Sequence, residues 1–566
     1  MSKRCNDGDL LAPYIKRSRI HKAESSNCLS SLSDELLLHI LSFLPISSLL
    51  LFQSVSRRFH SLAGDSELWK RKYYSQWVRP RARRLASSKH SFLPLSNVGY
   101  SPRVSKWLGH SHLTKEGKST DWQKQYRLRY NWSKGICRAT TAELPESLQP
   151  PTLVKFCARF VITVDHDHGL RVWDAGNPIV CLAKTPLIHS KARTFAVPTS
   201  LAASYRPSQD AVIISVGFKN SHFSVYSMET ETPCLTLCFS HCGPAVGAIT
   251  TIASSYPYIV TLSCRNVLSL YRLPTVKDIE VRGQDDLLEE ASLLTSLQSN
   301  NITAPMTLSV RNAGSDIISS IVYSFYHMGC GWSIGIQEVH FNERNQQISS
   351  RSTTTADCQF GVVSSRPFNQ TTTRQQSSLN DYLHRREPSI LHREPPTSVS
   401  YSHPYLLSSH TDNTLTMHLV VSTASSLYIK GGQRLWGHTS SVSAVQVSDR
   451  GKAVSVSSGG GGGDDDDDDV RIWELENLIS SFGTQKTFGE KGVQIIPDSK
   501  QGLKHEDMDV LSGVPRREPT KDRSSSRNKA YGLARKHNLI GFNDERVLFL
   551  RETDMGKQLL KFYDFT

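Results

Sequence analysis

Residues 29–75 read LSSLSDELLLHILSFLPISSLLLFQSVSRRFHSLAGDSELWKRKYYS, the densest helical pattern of apolar residues in the chain. In the first half, apolar residues recur at the spacing of a single helix, at Leu32, Leu36, Ile40, Leu41 and Leu44. Ser33 is placed to cap this helix, and Pro45 ends it. A second helix, capped by Ser47 or Ser48, places these residues on one face: Leu49, Phe52, Val55, Phe59 and Leu62. Because so short a segment cannot bury this much apolar surface alone, the pattern predicts a partner.

The order and spacing of several short runs in this segment resemble an F-box. The runs are Leu32, 34–37 (DELL), 40–44 (ILSFL), 55–59 (VSRRF) and 68–70 (LWK). Members of this family dock the module onto the Skp adaptor of a cullin-based ubiquitin ligase. The resemblance implies an adaptor-binding face formed by Leu32, Leu36, Ile40, Leu41, Leu44, Leu49, Val55, Phe59, Leu68 and Trp69. The alternative is an ordinary helical hairpin inside a larger core.

Two positions depart from the family pattern. Ser33 stands where a proline is usual, and Ser47 and Ser48 replace the acidic residue that often opens the second helix. Serine can still cap a helix, so both changes are compatible with the module.

The chain is basic. Its 566 residues contain 66 Lys and Arg against 52 Asp and Glu, and the excess is concentrated before residue 140, as in 79–84 and 124–129. A positive field favours acidic or phosphorylated partners. No nucleic-acid-binding motif accompanies the charge, so a nucleic acid is a less favoured partner.

Hydropathy and cysteine content indicate the compartment. No apolar run reaches the roughly 18 residues needed to cross a bilayer, and the first residues lack the apolar core of a secretory signal. Eleven cysteines in such a chain are expected to be reduced thiols. We therefore predict a protein that resides in the cytoplasm, the nucleus or both and does not bind a membrane. The cluster Cys234, Cys238, His241 and Cys242 has the wrong spacing for zinc and is expected to lie on a strand with buried thiols.

From about residue 146 the sequence changes to short strands separated by turns. One unit contains Gly437-His438 and the strand-like runs 442–447, 453–457 and 470–474. It resembles a WD repeat, in which histidine, serine or threonine, aspartate and tryptophan form a buried hydrogen-bonded set. The resemblance assigns these structural roles to His438, Ser455 or Ser457, one residue of the Asp run 464–469 and Trp473. A second unit ends at Trp173.

Related units keep an aromatic or apolar residue at the corresponding point. The markers are residues 173, 226, 271, 336, 428, 473 and 563, and two of their spacings fit a blade of roughly 40–45 residues. The predicted fold is a multi-domain α plus all-β chain: a short N-terminal helical F-box followed by a degenerate seven-bladed β-propeller. A β-sandwich with disordered tails is the competing interpretation.

The predicted domains follow from these patterns. They are a basic disordered tail (1–28), the F-box (29–76), a helical and basic linker (77–145) and the propeller (146–566). Trp122 and Tyr126 predict a helix with an aromatic face in the linker. Polar insertions are expected near 276–300, where a surface helix is predicted, and near 350–397, 459–469 and 485–530.

No catalytic motif is present, and residues 165–168 (DHDH) are typical of a hairpin turn before Gly169. We therefore predict a non-catalytic protein with no cofactor and no metal. The resemblances imply a substrate receptor of an SCF-type ubiquitin ligase, which binds the Skp adaptor and through it a cullin, and directs a target to the proteasome. The target is expected to contain acidic or phosphorylated groups. The sequence identifies neither the target nor the residues that contact it. The alternatives are a non-degradative WD-repeat scaffold and a basic nucleic-acid or chromatin binder.

Overall fold

The computed structural model describes a defined set of residues: 29, 31–80, 120–145, 152–176, 180–187, 197–242, 247–273, 292–298, 303–313, 316–342, 346–360, 390–423, 425–457, 469–476, 492–497, 537–552 and 557–566. The chain divides into two compact units, Met1–Tyr126 and Arg127–Thr566. Each unit is described by itself.

The first unit contains a module of four short helices. They are α1 (Asp34–Phe43), α2 (Ile46–Val55), α3 (Arg57–Ala63) and α4 (Ser66–Tyr73). A single π-helical turn, Tyr74–Val78, follows α4. The Ser56 hydroxyl accepts a hydrogen bond from the Phe59 amide, and the Asp65 carboxylate accepts one from Leu68, so α3 and α4 are capped by side chains.

One predicted cap is confirmed in position, and the other is wrong. Ser33 is the N-cap residue of α1 in an extended conformation, but its side chain makes no capping hydrogen bond. The second helix begins at Ile46 with Pro45 before it, so Ser47 and Ser48 lie inside the helix. The fixed φ of proline already suits the start of a helix, and the Pro45 carbonyl accepts from Leu49.

Apolar side chains from all four helices form the core of the module. Its buried members are Leu37, Leu41, Leu49, Phe59, Leu62, Ala63 and Leu68. Beside it, Trp69 donates from Nε1 to the Ala63 carbonyl at 2.7 Å and packs against Trp122 and Tyr126. These two residues begin α5 (Trp122–Lys134), which confirms the predicted aromatic helix.

The second unit is built of strands that meander in antiparallel sheets. Within the described residues there are seven sheets, and the first three each contain four consecutive strands. Sheet 1 comprises β2 (Leu153–Cys157), β3 (Phe160–Asp165), β4 (Gly169–Asp174) and β5 (Cys181–Thr185). Sheet 2 comprises β6 (Pro198–Arg206), β7 (Ala211–Phe218), β8 (His222–Glu229) and β9 (Leu235–Cys242). Sheet 3 comprises β10 (Ile249–Ser255), β11 (Tyr258–Ser263), β12 (Val267–Arg272) and β13 (Ser292–Gln298).

The next three sheets repeat this order. Sheet 4 comprises β14 (Thr303–Ala313), β15 (Asp316–His327), β16 (Gly331–Phe341) and β17 (Gln347–Thr354), and a short helix, α6 (Thr355–Phe360), follows it. Sheet 5 comprises β18 (Ser398–Ser402), β19 (Tyr405–Ser409), β20 (Leu415–Ser422) and β21 (Leu427–Leu435). Sheet 6 comprises β22 (Val442–Val447), β23 (Lys452–Ser457), β24 (Asp469–Glu474) and β25 (Val493–Gln494).

The seventh sheet joins the two ends of the unit. It comprises β27 (His537–Phe542), β28 (Arg546–Glu552), β29 (Gln558–Asp564), β1 (Ile136–Glu143) and β26 (Ile496–Pro497). The first strand, β1, pairs antiparallel with the last, β29, from Arg138 opposite Asp564 to Glu143 opposite Leu559. The propeller therefore begins at β1, inside the predicted linker, rather than at residue 146.

Apolar clusters between neighbouring sheets close the ring. Each of seven clusters draws its buried residues from two adjacent sheets, and one of them joins Val161 of sheet 1 to Leu548 and Phe562 of sheet 7. A closed ring has no long unpaired sheet edge between its blades. The unit is a seven-bladed β-propeller, as the repeat pattern predicts.

The sequence markers agree with the blades except at one position. Six markers lie on the third strand of a sheet, but Tyr428 lies on β21, the fourth strand of sheet 5. The third strand there is β20. Apolar and aromatic residues also alternate on an outer strand that packs on one face. The alternation alone therefore does not distinguish β20, the third strand, from β21, the fourth.

Parts of all four predicted insertions lie among the described residues, and the third contributes Asp469, the first residue of β24. Residues 292–298, predicted in a surface helix, form β13, residues 350–360 continue into β17 and α6, and residues 492–497 contain β25 and β26. Residues 390–397 also have a described path. Polar outer strands bury only one face, so their composition resembles that of a loop. The remaining parts, 276–291, 361–389, 459–468 and most of 485–530, lie outside the described residues, as does the tail 1–28.

The expected burial of the β9 thiols is wrong. Cys234 and Cys238 are both exposed. The pairing of β8 with β9 slips by one residue between Val225 and Tyr226, so Cys238 is skipped in the ladder. Such a bulge moves following side chains to the opposite face, which simple alternation does not anticipate.

Candidate functional site

The helical module exposes two apolar stripes. On α1 the stripe comprises Leu36, Ile40 and Phe43, and on α2 it comprises Leu50, Leu51 and Val55. Phe43 and Leu51 are 74% and 69% exposed. Single exposed apolar residues are normal on a protein surface, but six large ones in so small a module are typical of an interface. We call these six residues the exposed apolar face.

The sequences of α1 and α2 explain why both an interior and this face exist. On α1, Leu37 and Leu41 point into the core, while residues at positions 36, 40 and 43 share the opposite side at helical spacing. The α2 sequence, ISSLLLFQSV, contains no charged residue and is apolar on nearly every side. Leu49 is buried, and its neighbours Leu50 and Leu51 are left outside. A helix that is apolar all round is expected to be covered on more than one side.

The structure divides the ten predicted adaptor-binding residues between the interior of the module and its surface. Five of the ten residues are buried in the module itself: Leu41, Leu49, Phe59, Leu68 and Trp69. Leu32 and Leu44 are partly buried against the same core. Leu36, Ile40 and Val55 are exposed. A small helical module must bury one apolar face for its own stability, and helical spacing alone does not say which face that is.

The sequence interpretation missed three exposed residues. Phe43, Leu50 and Leu51 were not assigned to the adaptor face, although Phe43 follows Leu36 and Ile40 at the spacing of one helical stripe. That spacing is the signal that identifies it. The contiguous run 49–51 gives no such signal for α2.

Polar contacts hold α1 in place at both of its ends. Arg58 of α3 donates to Asp34 at 2.7 Å and to the Leu32 carbonyl at 2.6 Å. Lys72 of α4 donates to the carbonyl oxygens of Ser42 and Leu44, at 2.8 and 2.7 Å. Partial burial lowers the pKa of Lys72. A cation at the end of α1 matches the negative end of the helix dipole.

The sixth blade contains the buried polar set that its sequence predicts. His438 Nε2 lies 2.6 Å from the Ser455 hydroxyl, and Trp473 Nε1 donates to the same hydroxyl at 2.8 Å. On the other side of the imidazole, His438 Nδ1 lies 2.9 Å from the Ser457 hydroxyl and 3.0 Å from the Asp469 carboxylate. Asp469 is the last residue of the Asp run and begins β24. These contacts connect the segment before β22 with β23 and β24, the second and third strands of the blade.

The first blade keeps part of this arrangement. Trp173 Nε1 donates to Thr163 at 2.9 Å, and the buried Asp165 accepts from Arg171 at 2.5 Å. Residues 166–168 form the hairpin turn that the sequence predicts, with Gly169 at a φ of +76°. The indole donor of the tryptophan is satisfied in both blades, so these residues stabilise the propeller.

Ser455→Ala is expected to destabilise the propeller by about 2–4 kcal/mol. The change leaves two buried groups, His438 Nε2 and Trp473 Nε1, without their common partner, and each costs about 1–3 kcal/mol. The measurement is the free energy of unfolding by urea. Ser457→Ala is the matched control with a smaller expected loss, because Asp469 still contacts His438. Equal losses in the two variants would contradict this account.

Comparison with known proteins identifies the family. The profile of the family described as F-box protein pof12 beta-propeller matches residues 137–566. The chain belongs to that family. A second profile, described as F-box-like, matches residues 29–75, so the helical module is an F-box. The first match lies within Arg127–Thr566, and the second covers the four-helix module within Met1–Tyr126.

Individual relatives are distant. F-box protein pof12 of Schizosaccharomyces pombe is 21% identical over 448 residues, which cover 77% of this chain and 83% of that protein. The WD40 beta-propeller domain of Doa1 is 11% identical with a TM-score of 0.33, covering 75% of this chain and 95% of that one. The C-terminal WD40 domain of Sif2 is 12% identical with a TM-score of 0.30, covering 60% and 72%. The fold assignment depends on the seven sheets and the family match, not on these two structures.

The described residues contain neither a metal-binding cluster nor a membrane-spanning helix. No group of three or more His, Cys, Asp or Glu residues in that part of the chain is arranged to hold a metal ion. No helix there is long and apolar enough to span a membrane.

Proposed function

We propose that this protein is the substrate-recognition subunit of an SCF-type ubiquitin ligase. The F-box binds the Skp adaptor, and through it a cullin, while the propeller binds a target protein. The target is thereby ubiquitinated and degraded by the proteasome. The protein itself contributes binding and no bond chemistry.

The exposed apolar face is the observation that supports adaptor binding. The core of the module is already complete without Phe43, Leu50 and Leu51, which therefore contribute nothing to its folding while exposed. Covering one such side chain with a partner stabilises the complex by about 1.5–3 kcal/mol. Membership of a family with an F-box supports the Skp adaptor as that partner.

The mechanism we propose is proximity. A target held on the propeller shares one assembly with the ubiquitin-conjugating enzyme, so its lysines meet the enzyme at a high effective concentration. Transfer then depends on the geometry of the assembly and on how long the target stays bound.

Affinity purification of the tagged full-length chain tests this function. We expect the Skp adaptor and a cullin to copurify, and we expect a defined set of proteins to accumulate when residues 29–76 are deleted. Recovery of the chain with neither adaptor nor cullin would instead favour the scaffold alternative. Variants at Leu41 or Trp69 are unsuitable for this test, because both side chains are buried and their substitution would unfold the module.

A further inference from the structure

The connections between strands divide the propeller into two ends. In each four-stranded blade, the turn between the second and third strands lies at the same end as the link from the fourth strand to the next blade. At the opposite end, Trp132 of α5 donates from Nε1 to the backbone carbonyl of Asp544 at 2.5 Å, and Arg129 pairs with Glu474 at 2.8 Å. Residues 127–134 thus occupy part of that opposite end.

The first end contains an exposed apolar patch on blades 4 and 5. It consists of Tyr326 and Met328 at the β15–β16 turn, Leu391 in the link between the blades, and Arg434 and Trp436 at the end of β21. Met328 is 97% exposed and Trp436 is 53% exposed. We call these five residues the Trp436 patch.

Contacts through Trp332 and His392 connect Tyr326 with the Leu391 segment, and Arg434 connects that segment with Trp436. The Tyr326 ring packs against Trp332 with centroids 6.0 Å apart, and the Trp332 amide donates to the His392 carbonyl at 2.9 Å. From the other side, Arg434 reaches the Leu391 carbonyl at 3.5 Å and lies over the Trp436 ring at 5.6 Å.

The described end of the link, residues 390–397, is anchored at His392. Gly331 forms an isolated parallel bridge with His392, and a Cβ at Gly331, whose φ is +68°, would lie 2.4 Å from the His392 carbonyl oxygen. The His392 ring stacks on His410 at 3.6 Å and contacts the Thr416 hydroxyl at 3.1 Å. A surface whose backbone is already fixed loses little entropy when it binds.

The guanidinium of Arg434 is poorly satisfied. Its Nε is buried and has no hydrogen-bond partner among the described residues. Within the part of the chain that the structure describes, its other two nitrogens have only distant partners, the Leu391 carbonyl at 3.5 Å and Asp412 Oδ2 at 3.9 Å. An ordinary charge-assisted hydrogen bond is about 2.7–2.9 Å long, so this cation can still accept an anionic partner.

The nearby Asp412 does not neutralise Arg434 at short range. Its Oδ1 accepts from the Thr414 hydroxyl at 2.6 Å and from the Thr414 amide at 3.2 Å, which directs the carboxylate to its own turn. Asp412 nevertheless places a negative charge near the patch. Removing that charge should therefore strengthen the binding of an anion.

We propose that the Trp436 patch binds a peptide segment in which a carboxylate or phosphate group neighbours a large apolar side chain. The anion pairs with Arg434, and the apolar side chain packs on Trp436 and Leu391. This inference rests on the proposed function, because it assigns the recognition of the target to one place on the propeller.

A peptide array tests the proposal with the full-length chain. Four sets of immobilised peptides contain random flanks around a central Glu, phosphoserine, Gln or Ser. We expect at least about tenfold more bound protein on the Glu or phosphoserine set than on its neutral counterpart, with large apolar residues enriched beside the central position. The stronger of the two anionic sets identifies the natural group. Equal binding to all four sets, or binding to none, overturns the proposal.

Variants locate the binding on the surface. Arg434→Gln and Trp436→Ala are each expected to lower the signal about tenfold, whereas Asp412→Asn is expected to raise it. Arg206→Gln is the matched control, because Arg206 also lies over an aromatic ring, that of Tyr256 at 4.0 Å, but at the opposite end of blade 2. Binding that survives both patch variants overturns the assignment. Adaptor copurification should be unchanged in all four variants. The proposed function is tested separately, by whether the wild-type chain copurifies with the adaptor.

Discussion

Substituting Phe43 and Leu51 together with aspartate is expected to weaken binding of the purified Skp adaptor by at least about 100-fold. Both side chains are exposed in the module, so neither supports its core. Central apolar residues of an interface cost about 2 kcal/mol or more when they are removed, and 1.4 kcal/mol corresponds to a factor of ten in affinity. Titration calorimetry with the full-length chain measures the change.

The control for this pair is Leu237→Asp. Leu237 is also an exposed leucine, but it lies on β9 of the propeller, so its substitution should leave adaptor affinity unchanged. The unfolding midpoint of the double variant should stay near that of the wild type, as is usual for exposed positions. Adaptor affinity that is the same in the double variant and the wild type would exclude the exposed apolar face as the binding surface.

Glu338→Ala is expected to destabilise the propeller by about 3–5 kcal/mol. Glu338 is fully buried on β16 of blade 4, where its Oε1 accepts from Arg311 at 2.9 Å. Its Oε2 accepts from Ser422 of blade 5 at 2.6 Å, and Tyr401 of the same blade lies 3.4 Å from Oε1. Removing one partner of such a network leaves the partly buried Arg311 charge uncompensated, which is the costly case.

Chemical unfolding of Glu338→Ala and Glu474→Ala separates a buried pair from an exposed one. Glu474 pairs with Arg129 but is partly exposed, so its loss should cost about 1 kcal/mol or less. A loss at Glu338 no larger than that at Glu474 would show that the network does not hold blades 4 and 5 together.

The stabilisation by Glu338 should also depend on pH. Burial by itself raises the pKa of this carboxyl, but Arg311 and the hydrogen bond from Ser422 outweigh burial and bring the pKa below its usual value. A carboxyl whose pKa is lowered by folding stabilises the protein above the unfolded pKa of about 4.3, and this contribution disappears as the pH falls through the folded pKa. The difference in unfolding free energy between wild type and Glu338→Gln should therefore be largest at neutral pH and shrink below about pH 4.

The sequence predicts the architecture better than it predicts the surfaces. Helical spacing in residues 29–75 and the recurring strand pattern indicated the module and seven blades, because burial of apolar side chains leaves a periodic record. Periodicity failed where two sides of one element are apolar. Leu49 and Leu50 are adjacent and chemically identical, yet only Leu49 is buried, and that difference arises from how the four helices pack.

Contacts between distant segments were also beyond the sequence pattern. Nothing in the run 434–438 (RLWGH) indicates that Trp436 is exposed while His438 is buried two residues later. Likewise, the pairing of β1 with β29 joins segments more than 400 residues apart, so it has no local signature. The insertion at 350–397 was predicted to lack structure, and the anchoring of His392 at Gly331 emerges only from the folded blades.

The most direct test of the central claim is side-chain footprinting of the full-length chain with and without the purified Skp adaptor. The account predicts that labelling of Phe43, Leu50, Leu51 and Val55 falls sharply in the complex, while labelling of Met328 and Trp436 on the propeller is unchanged. Undiminished labelling of the F-box residues in the presence of saturating adaptor would contradict it.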